Sequence, residues 1–367
     1  MDTYVLGLAL SPPQVAERGK RTEELAFETV RAALAEAGVT RAALDHVTLA
    51  TSDEMDGRSI SSMLMATPSG AYLKDELRVT DSGLTGLLMG ALRVASGRFH
   101  LGVVVSWSQT SQIDVDALTR MRAEPFALRP VGLNGVIADG LFAGAVQQQL
   151  GLDEAAVRTR IAERQQSAAR NPRALVRDAD EAAAARAAAD PVLAWPLRRG
   201  HVAPASDGCA VFVLASGAWL AEHPGHRPLA RIAAVSSAID SYRLGQERLA
   251  GMAMFDRTLA EVLRRSGRAP DDAIDVAEIE APTAWADLAV EHHLRRYRVG
   301  AISPSGGAWA QNPLFCTGLV NAAEAALQVA DRAGAVQVPG ASFALAHGSH
   351  GFAQQAHTFV AFERIAP

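Results

Sequence analysis

A serine-glycine turn between a short strand and a helix is the first feature of this chain that could carry chemistry. It lies in the segment LRVTDSGLTGLLMGALRVASG, residues 77–97. A group at the beginning of a helix meets unpaired backbone N–H groups, which can stabilise a developing negative charge. The turn itself reads Thr80-Asp81-Ser82-Gly83. A hydroxyl nucleophile there needs an adjacent base, and neighbours in sequence such as Asp81 and Ser82 need not meet in space.

A glycine-rich loop, ISPSGGAWAQNPLFCTGL (residues 302–319), offers a second candidate. Gly306 and Gly307 permit close approach of a ligand to the backbone. Asn312 follows in a Gln-Asn-Pro turn, directly before a helix that begins with Thr-Gly. The loop is either a ligand site with Asn312 in a catalytic role or a simple glycine-rich linker.

A histidine loop near the end of the chain is the third candidate, in ALAHGSHGFAQQAHTFVAFE (residues 344–363). An apolar strand leads into His347, Gly348, Ser349 and His350. A histidine at the end of a buried strand can act as acid or base near neutral pH, although a loop histidine is often only solvated. We predict His347 and Ser349 as candidate catalytic residues.

Other common sites are not indicated. The chain has no HExxH or CxxC motif and no carboxylate cluster, so we expect no metal site. The glycine-rich loops lack the dinucleotide and phosphate-loop fingerprints. The two cysteines, Cys209 and Cys316, lie in apolar surroundings, which predicts inert buried thiols and a reducing, cytoplasmic compartment.

The elements that must position these residues are duplicated. Residues 24–51 read as an amphipathic helix, a glycine, an acidic turn and a strand, and residues 255–280 repeat that order. Gly38 and Gly267 take the same place after the two helices, where a left-handed cap is needed.

The second parts of the two halves also correspond. Residues 84–107 and 316–349 each contain a helix, a glycine and a buried apolar strand, and both helices begin with Thr-Gly-Leu. Helices that alternate with short apolar strands predict layered α/β halves.

Between the halves lies an Ala- and Arg-rich segment with helical stretches and no convincing strand. We therefore predict an N-terminal half over 1–118 plus 201–217, an inserted helical and loop domain over 119–200, and a C-terminal half over 225–367. The strand ASDGCAVFVLAS (205–216) returns the chain to the core.

Bulk composition narrows the class of protein. The chain has 367 residues, 49% hydrophobic residues and a net charge of -5, which argues against nucleic acid as its main partner. No apolar run is long enough to span a membrane, and the N-terminus lacks the basic start of a signal peptide.

These motifs together resemble the thiolase superfamily, in particular the sterol-carrier-protein-type thiolases and the thiolase-like subunits of multicomponent acyltransferases. ASDGCAVFVLAS resembles the family strand SDGAAAVVLAS, and SPSGGAWAQNPLFCTGL resembles NPxGGxxAxGHPxGATG. The resemblance implies an α/β thiolase fold: two βαβαβαββ halves in a five-layer α-β-α-β-α sandwich, with a loop domain inserted in the first half.

The chain departs from the family at each of the four loops that surround the acyl thioester. Thr80 takes the place of the cysteine in CASG, so the nucleophile loop, which includes Ser82, is degenerate. Glu280 begins the segment that matches HDAF or NEAF, Asn312 matches the GHP histidine, and His347 replaces the second cysteine of CxGG.

Three hypotheses follow from the resemblance. In the first, the chain is a non-catalytic or regulatory subunit in a homo- or hetero-dimer with a thiolase paralogue, together with a small zinc-ribbon/OB-fold protein. The resemblance implies an interface that contains the nucleophile loop. In the second, the chain is an acyltransferase or retro-aldolase with altered chemistry, in which His347 transfers protons with help from Ser349 or Glu280.

The third hypothesis is an acyl-CoA or lipid-binding module. Gly306, Gly307 and Gly348 would then line the acyl-CoA loops, with a coenzyme A thioester as a non-covalent ligand. Four arginines of the insertion could meet its phosphates or could simply belong to a solvated helix face: Arg158, Arg160, Arg164 and Arg170.

Overall fold

The computed structural model describes residues 2–57, 59–175 and 190–365. Residues 176–189 of the predicted insertion lie outside the described residues. Within the described ranges, no helix is long and apolar enough to cross a lipid bilayer.

The strands of the described chain are, in order, β1 Thr3–Leu10, β2 His46–Ala50, β3 Asp75–Val79, β4 Leu101–Ser108, β5 Val192–Ala194, β6 Leu197–Arg198, β7 Gly208–Ser216, β8 Ala230–Ile239, β9 Ala273–Glu278, β10 Arg298–Ile302, β11 Phe343–His350 and β12 Ala356–Glu363. The α-helices are α1 Thr22–Ala37, α2 Ser61–Met65, α3 Gly83–Ala95, α4 Val115–Arg122, α5 Gly135–Leu150, α6 Glu154–Arg170, α7 Gly217–Glu222, α8 Gln246–Gly251, α9 Ala253–Arg265, α10 Ala284–Leu294 and α11 Thr317–Val329. One-turn 3-10 helices cover Arg41–Ala43, Thr110–Gln112, Arg199–His201, Gly307–Trp309, Leu314–Cys316 and Gly334–Val336.

The main sheet consists of two equivalent halves of five strands each. The first half has the order β1-β7-β4-β2-β3, and the second repeats it as β8-β12-β11-β9-β10. The halves meet where β1 pairs antiparallel with β8, with Thr3 opposite Ile232. Apart from the extra short helix α8 and the insertion, each half follows the order βαβαβαββ. The duplication expected from the sequence is therefore present.

Two central helices, α3 and α11, pack between the halves of the sheet. α3 contacts strands of both halves as well as α11, and α11 is buried over its whole length. Close packing requires small residues here, since a Cβ at Gly86 of α3 would lie only 2.3 Å from the Cβ of Ala50. The central helices thus form the middle layer of the sandwich.

The outer layers are amphipathic helices, α1 on the first half and α9 on the second. Both helices end at the glycines for which the sequence predicts a left-handed conformation. Gly38 has φ +67° and Gly267 has φ +74°. Each glycine is followed by a residue whose N–H donates back to the equivalent leucine, from Val39 to Leu34 and from Arg268 to Leu263. The order of layers is therefore helix, sheet, helices, sheet, helix.

The segment between β4 and β7 contains α4, α5, α6 and a two-stranded hairpin of β5 and β6. The expectation that this segment lacks strands is wrong at the hairpin. Its strands have three and two residues, too few for an alternating pattern to be visible in sequence. Arg164 of α6 joins the insertion to the second half through Asp287 of α10, with Nε donating to Oδ2 at 2.6 Å.

Gly86→Ala should lower the free energy of unfolding by roughly 1–3 kcal/mol, because the added methyl group overlaps Ala50 in a filled core. Gly144→Ala in α5 is the matched control. A Cβ there would have only Pro196 Cδ nearby, at 3.6 Å. Since alanine is favoured over glycine within a helix by about 0.5–1 kcal/mol, this variant should be as stable as the parent or more so. Urea unfolding measures both, and equal effects would contradict the packing described for α3.

Candidate functional site

The four turns that the resemblance groups into one site come together in the structure. Gly318 of α11 lies where they meet. A Cβ built on Gly318 would lie 2.8 Å from Glu280 Oε2, 2.9 Å from Leu84 Cβ and 3.2 Å from Gly348 Cα. Leu84 directly follows the Ser82-Gly83 turn, and the Asn312 turn is joined to α11 because Thr317 Oγ1 donates to Asn312 Oδ1 at 2.8 Å. We call this point the convergence point.

The Ser82 hydroxyl is engaged as the N-cap of α3. Its Oγ accepts a hydrogen bond from the Thr85 N–H at 3.2 Å and lies 3.0 Å from Thr85 Oγ1. Thr85 Oγ1 in turn lies 3.3 Å from Thr358 Oγ1. These partners are hydroxyl and amide groups, so none of them is a base that could activate Ser82. Thr80, at the position of the family cysteine, is exposed, whereas Ser82 is buried.

Neither cysteine is placed to act as a nucleophile. Both are buried, and Cys316 Sγ lies 3.4 Å from the carbonyl oxygen of Ser106. Burial raises the pKa of Cys316 to about 12 and also raises the pKa of Cys209. Both thiols therefore stay protonated at neutral pH, and the thiolate is the reactive form.

Asn312 is held by the protein rather than left open toward a ligand. Its N–H donates to Ser206 Oγ at 3.0 Å, and its carbonyl oxygen accepts the Ser206 N–H at 3.0 Å. With Thr317 on its side-chain oxygen, Asn312 ties the strand-entry turn before β7 to the beginning of α11. Its catalytic role stays a prediction.

Glu280 is the titratable group at the convergence point. Its Oε2 accepts the Ser349 N–H at 3.3 Å, and the residue is 8% exposed. Burial raises the pKa of Glu280 to about 8, with the Ser349 hydrogen bond acting in the opposite direction. At neutral pH most of this carboxyl group is therefore the neutral acid.

His347 and Ser349 point away from the convergence point. β11 pairs with β12 in regular register, so alternate side chains face opposite sides of the sheet. Position 348 faces α3, because a Cβ on Gly348 would lie 2.9 Å from Leu84 Cβ. The side chains of His347 and Ser349 therefore lie on the outer face. Their side chains are thus separated from the Ser82 turn by β11, although the Ser349 N–H does reach Glu280. The catalytic roles of His347 and Ser349 stay predictions.

The His347 ring instead forms a buried pair with His357. His347 Nε2 lies 3.1 Å from His357 Nδ1, and the stacked rings contact the rings of Phe255 and Phe359. Burial lowers the pKa of His347 to about 3 and lowers the pKa of His357 well below its ordinary value. Both rings are neutral at pH 7 and fill the space between β11, β12 and α9.

His350 is the histidine on the inner face, and the sequence analysis did not single it out. It is the next inward position after Gly348 on β11. Burial lowers the pKa of His350, the Asp81 carboxylate raises it and the Arg122 guanidinium lowers it. The ring is thus close enough to the Ser82 turn and to α4 for the charges of Asp81 and Arg122 to act on it. His350 lies two residues after Gly348 on the same strand, and this spacing could have shown that both face the same side of the sheet.

The glycine-rich loop packs closely against the insertion. A Cβ on Gly306 would lie 2.7 Å from the backbone N of Ala168 in α6, and Gly306 has φ +93°. Gly307, with φ +56°, packs near Ser303 and the carbonyl oxygen of Ile279. These glycines allow contact between protein segments, and a role for them or Gly348 in acyl-CoA binding stays a prediction.

Three of the four insertion arginines have internal partners. Arg164 binds both oxygens of Asp287, and Arg160 pairs with Asp287 and Glu291. Arg158 forms an exposed pair with Glu154. Because Arg160 and Arg164 are largely buried in these ion pairs, the expectation that they bind the phosphates of a nucleotide is not supported by their geometry.

A possible ligand trio occurs in the insertion, where Glu154, Asp190 and His201 place one ligand atom each within 4.8 Å of one another. His201 Nδ1 accepts hydrogen bonds from Trp285 Nε1 at 3.1 Å and from the Arg198 N–H at 3.2 Å. The ring hydrogen is then on Nε2, which donates to Glu154 Oε1 at 3.0 Å. In this tautomer neither ring nitrogen has a free lone pair for a metal ion.

Comparison with solved structures identifies the fold. The chain superposes on the Ltp2-ChsH2(DUF35) aldolase with a TM-score of 0.75 and 16% identity, covering 99% of this chain and 98% of that chain. It also superposes on the acetyl-CoA acetyltransferase from Syntrophomonas wolfei with a TM-score of 0.73 and 17% identity, covering 99% of each chain. Searches against family models and against curated protein sequences give no match. The chain therefore has the thiolase fold that its motifs predicted, over essentially its whole length.

The buried histidine pair predicts a specific loss of stability in acid. The folded-state pKa of His347, about 3, lies below the ordinary histidine value. The unfolded chain therefore takes up a proton as pH falls below about 6.5, while the folded chain does not until about pH 3. Stability is fully present above pH 6.5 and should fall by up to about 1.4 kcal/mol per pH unit for each such group.

Urea unfolding between pH 7.5 and pH 5 measures this slope. His347→Gln should reduce the slope, because it removes one group that titrates only in the unfolded state. A parental slope retained in His347→Gln would show that this ring does not contribute to the acid sensitivity.

Proposed function

We propose that this chain is a thiolase-fold subunit that handles coenzyme A thioesters without forming an acyl-enzyme of its own, in a heteromeric complex with a cysteine-bearing paralogue. One observation carries the proposal. The nucleophile turn keeps its strand, its cap and its following helix, but Thr80 stands at the cysteine position and the Ser82 hydroxyl caps α3. The turn is therefore preserved as structure, without an activated nucleophile.

The edge of the sheet beside this turn suggests where the paralogue docks. β3 is the outermost strand of the first half, and the exposed residue Thr80 directly follows it. Large apolar side chains with relative exposures of 49–85% cluster before β3: Ile60, Met63, Leu64, Tyr72 and Leu73. An unpaired strand edge with neighbouring apolar side chains favours pairing with another chain.

The charges of β3 suit an antiparallel partner strand of the same type. Pairing centred on Leu77 would place Glu76 opposite Arg78 of the second copy, and opposite charges across a strand pair are favourable. We propose that a thiolase-fold paralogue pairs through the equivalent edge strand. Docking there would cover Thr80 and Asp81, so the partner would lie against this chain's degenerate turn.

The comparisons support the assembly part of the proposal. The name of one structural neighbour, the Ltp2-ChsH2(DUF35) aldolase, joins two components. By extension, we propose that a small zinc-ribbon/OB-fold subunit completes this complex. We place the complex in the cytoplasm, since both cysteines are free thiols.

The first prediction concerns covalent chemistry. Incubation of the folded complex with acetyl-CoA should give no acyl adduct on this chain by intact-protein mass spectrometry, and an adduct on the partner's cysteine. Iodoacetamide should likewise leave the folded wild-type chain unmodified, because Cys209 and Cys316 are buried. Thr80→Cys in the chain without its partner is the positive control, since its thiol would be exposed there and should be alkylated. An acyl adduct on Ser82 or Thr80 of the wild-type chain would overturn the proposal.

The second prediction concerns the docking edge. Tagged wild-type chain should retain a thiolase-fold protein with an intact CxS loop, identified by mass spectrometry after size exclusion. Replacing Met63 and Leu73 by Asp should abolish retention, because burial of two charges at the interface is unfavourable. Phe126→Asp, at an 89% exposed residue of the insertion, is the matched control and should retain the partner. Retention by the double variant would show that the partner binds elsewhere.

A further inference from the structure

We propose that the insertion carries a peripheral lipid-binding surface, by which this chain binds the headgroup region of an anionic bilayer. The surface consists of six large apolar side chains with relative exposures of 40–89%: Met121, Phe126, Val131, Ile137, Leu141 and Trp195. We call it the insertion face. Single exposed apolar side chains are ordinary on a protein surface, whereas a group of neighbouring ones marks a contact with a partner or a membrane.

The packing of α5 places three of these side chains side by side. Ile137 and Leu141 lie one helical turn apart on the outer side of α5. Gly140 belongs to the adjoining row of the same helix, and a Cβ built on it would lie 2.5 Å from Ala194 Cβ in the β5–β6 hairpin. Trp195, the next residue of the hairpin, therefore lies beside Ile137 and Leu141.

The segment before α5 carries the other three side chains. The Gly135 N–H at the beginning of α5 donates to Thr119 Oγ1 of α4 at 3.0 Å, so the end of α4, which includes Met121, lies beside the beginning of α5. Phe126 and Val131 belong to the connection between these two helices. The six side chains thus come from adjoining elements of the insertion.

Arginines flank the insertion face. Residues 119–135 and 190–201 contain five arginines, two carboxylates and no lysine, in a chain of net charge -5. Both carboxylates, Glu124 and Asp190, accept hydrogen bonds from backbone N–H groups of the insertion. The arginines, none of which forms an ion pair among the described residues, are Arg120, Arg122, Arg129, Arg198 and Arg199. Positive charge without an internal counter-ion complements the phosphate groups of an anionic lipid surface.

The shape of the insertion face suits a fluid surface. Phe126 projects from the connection between α4 and α5, and Trp195 projects from the turn of the hairpin. Side chains that project singly from turns can enter the boundary between headgroups and acyl chains, which adapts to each of them, whereas a protein partner must offer each a matching pocket. An indole ring favours this boundary, because its body is apolar while its N–H can stay hydrated.

Co-flotation of the full chain with lipid vesicles tests this inference. The chain should float with vesicles that contain about one third phosphatidylglycerol, and much less with vesicles of phosphatidylcholine alone. Phe126→Asp should lower the partition coefficient onto the anionic vesicles by on the order of 10-fold or more, since a charge replaces the inserted ring. Arg122→Gln combined with Arg129→Gln should lower it by roughly 10- to 30-fold, because two charges no longer attract the lipid surface. Added salt should release the wild-type chain.

Brominated lipids give a second measurement, since they quench the fluorescence of tryptophans that enter the bilayer. Trp195 is exposed, whereas Trp107, Trp285 and Trp309 are buried and Trp219 is half-buried against the core of the first half. Quenching should therefore be seen in the wild type and be lost in Trp195→Phe, which keeps an apolar ring and should still float.

Met63→Asp is the matched control for Phe126→Asp, because it places the same charge on a 76% exposed apolar side chain far along the sequence, before β3. It should float as the wild type does, and thermal unfolding checks that each variant is folded. A wild-type chain that stays at the bottom of the gradient with anionic vesicles would refute the inference and assign the face to a protein partner. Equal losses in Met63→Asp and Phe126→Asp would also refute it.

The inference does not depend on the proposed function, and the two can fail separately. Phe126→Asp should lose the vesicles and retain the paralogue. Loss of paralogue binding in the Met63 and Leu73 variant leaves the insertion face intact, so that variant should still float.

Discussion

The contact between the two central helices determines where every candidate side chain of this protein lies. The contact is reciprocal. A Cβ on Gly83 at the beginning of α3 would lie 3.1 Å from Leu319 Cβ of α11, and a Cβ on Gly318 of α11 would lie 2.9 Å from Leu84 Cβ of α3. In each helix, therefore, a glycine leaves room for a leucine side chain of the other helix. Because the beginnings of α3 and α11 are in contact, the turns that lead into the two helices also lie close together.

This constraint explains how the Ser82 turn keeps its shape with a threonine at position 80. The Ser82 cap, worth about 1 kcal/mol in typical helices, and the glycine contacts stabilise the turn whether or not residue 80 is a cysteine. Thr80 itself is exposed and contributes little to this packing. The fold can therefore lose a thiolate at no cost to its core, and the thiolase fold alone does not determine which reaction the site performs.

Much of the fold could be predicted because its signals are local or repeated. The glycines after α1 and α9 and the Thr-Gly-Leu sequences of the central helices mark two equivalent halves, and the structure contains both halves. Thr317 does begin α11, whereas α3 begins at Gly83, two residues before Thr85. The side chains of the site were harder to predict from the sequence, because β11 is buried on both faces. Its sequence FALAHGSH has no polar alternation to show which residues face inward, and a shift of one position moves a side chain to the other face. His347 was chosen by its place in a motif, whereas only the packing of Gly348 against Leu84 shows that His350 faces inward.

Burial shifts the pKa values of His347 and Glu280, the two principal titratable candidates, in opposite directions. Low polarity disfavours the charged form of either group, so the pKa of His347 falls to about 3 while the pKa of Glu280 rises to about 8. The histidine is then neutral over the whole physiological range and cannot cycle between states. The pKa of the carboxyl group, by contrast, lies where both of its protonation states are populated near neutral pH. Because Glu280 also lies where α3, α11 and β11 meet, the same packing that excludes water from the core encloses this carboxyl group beside the Ser82 turn.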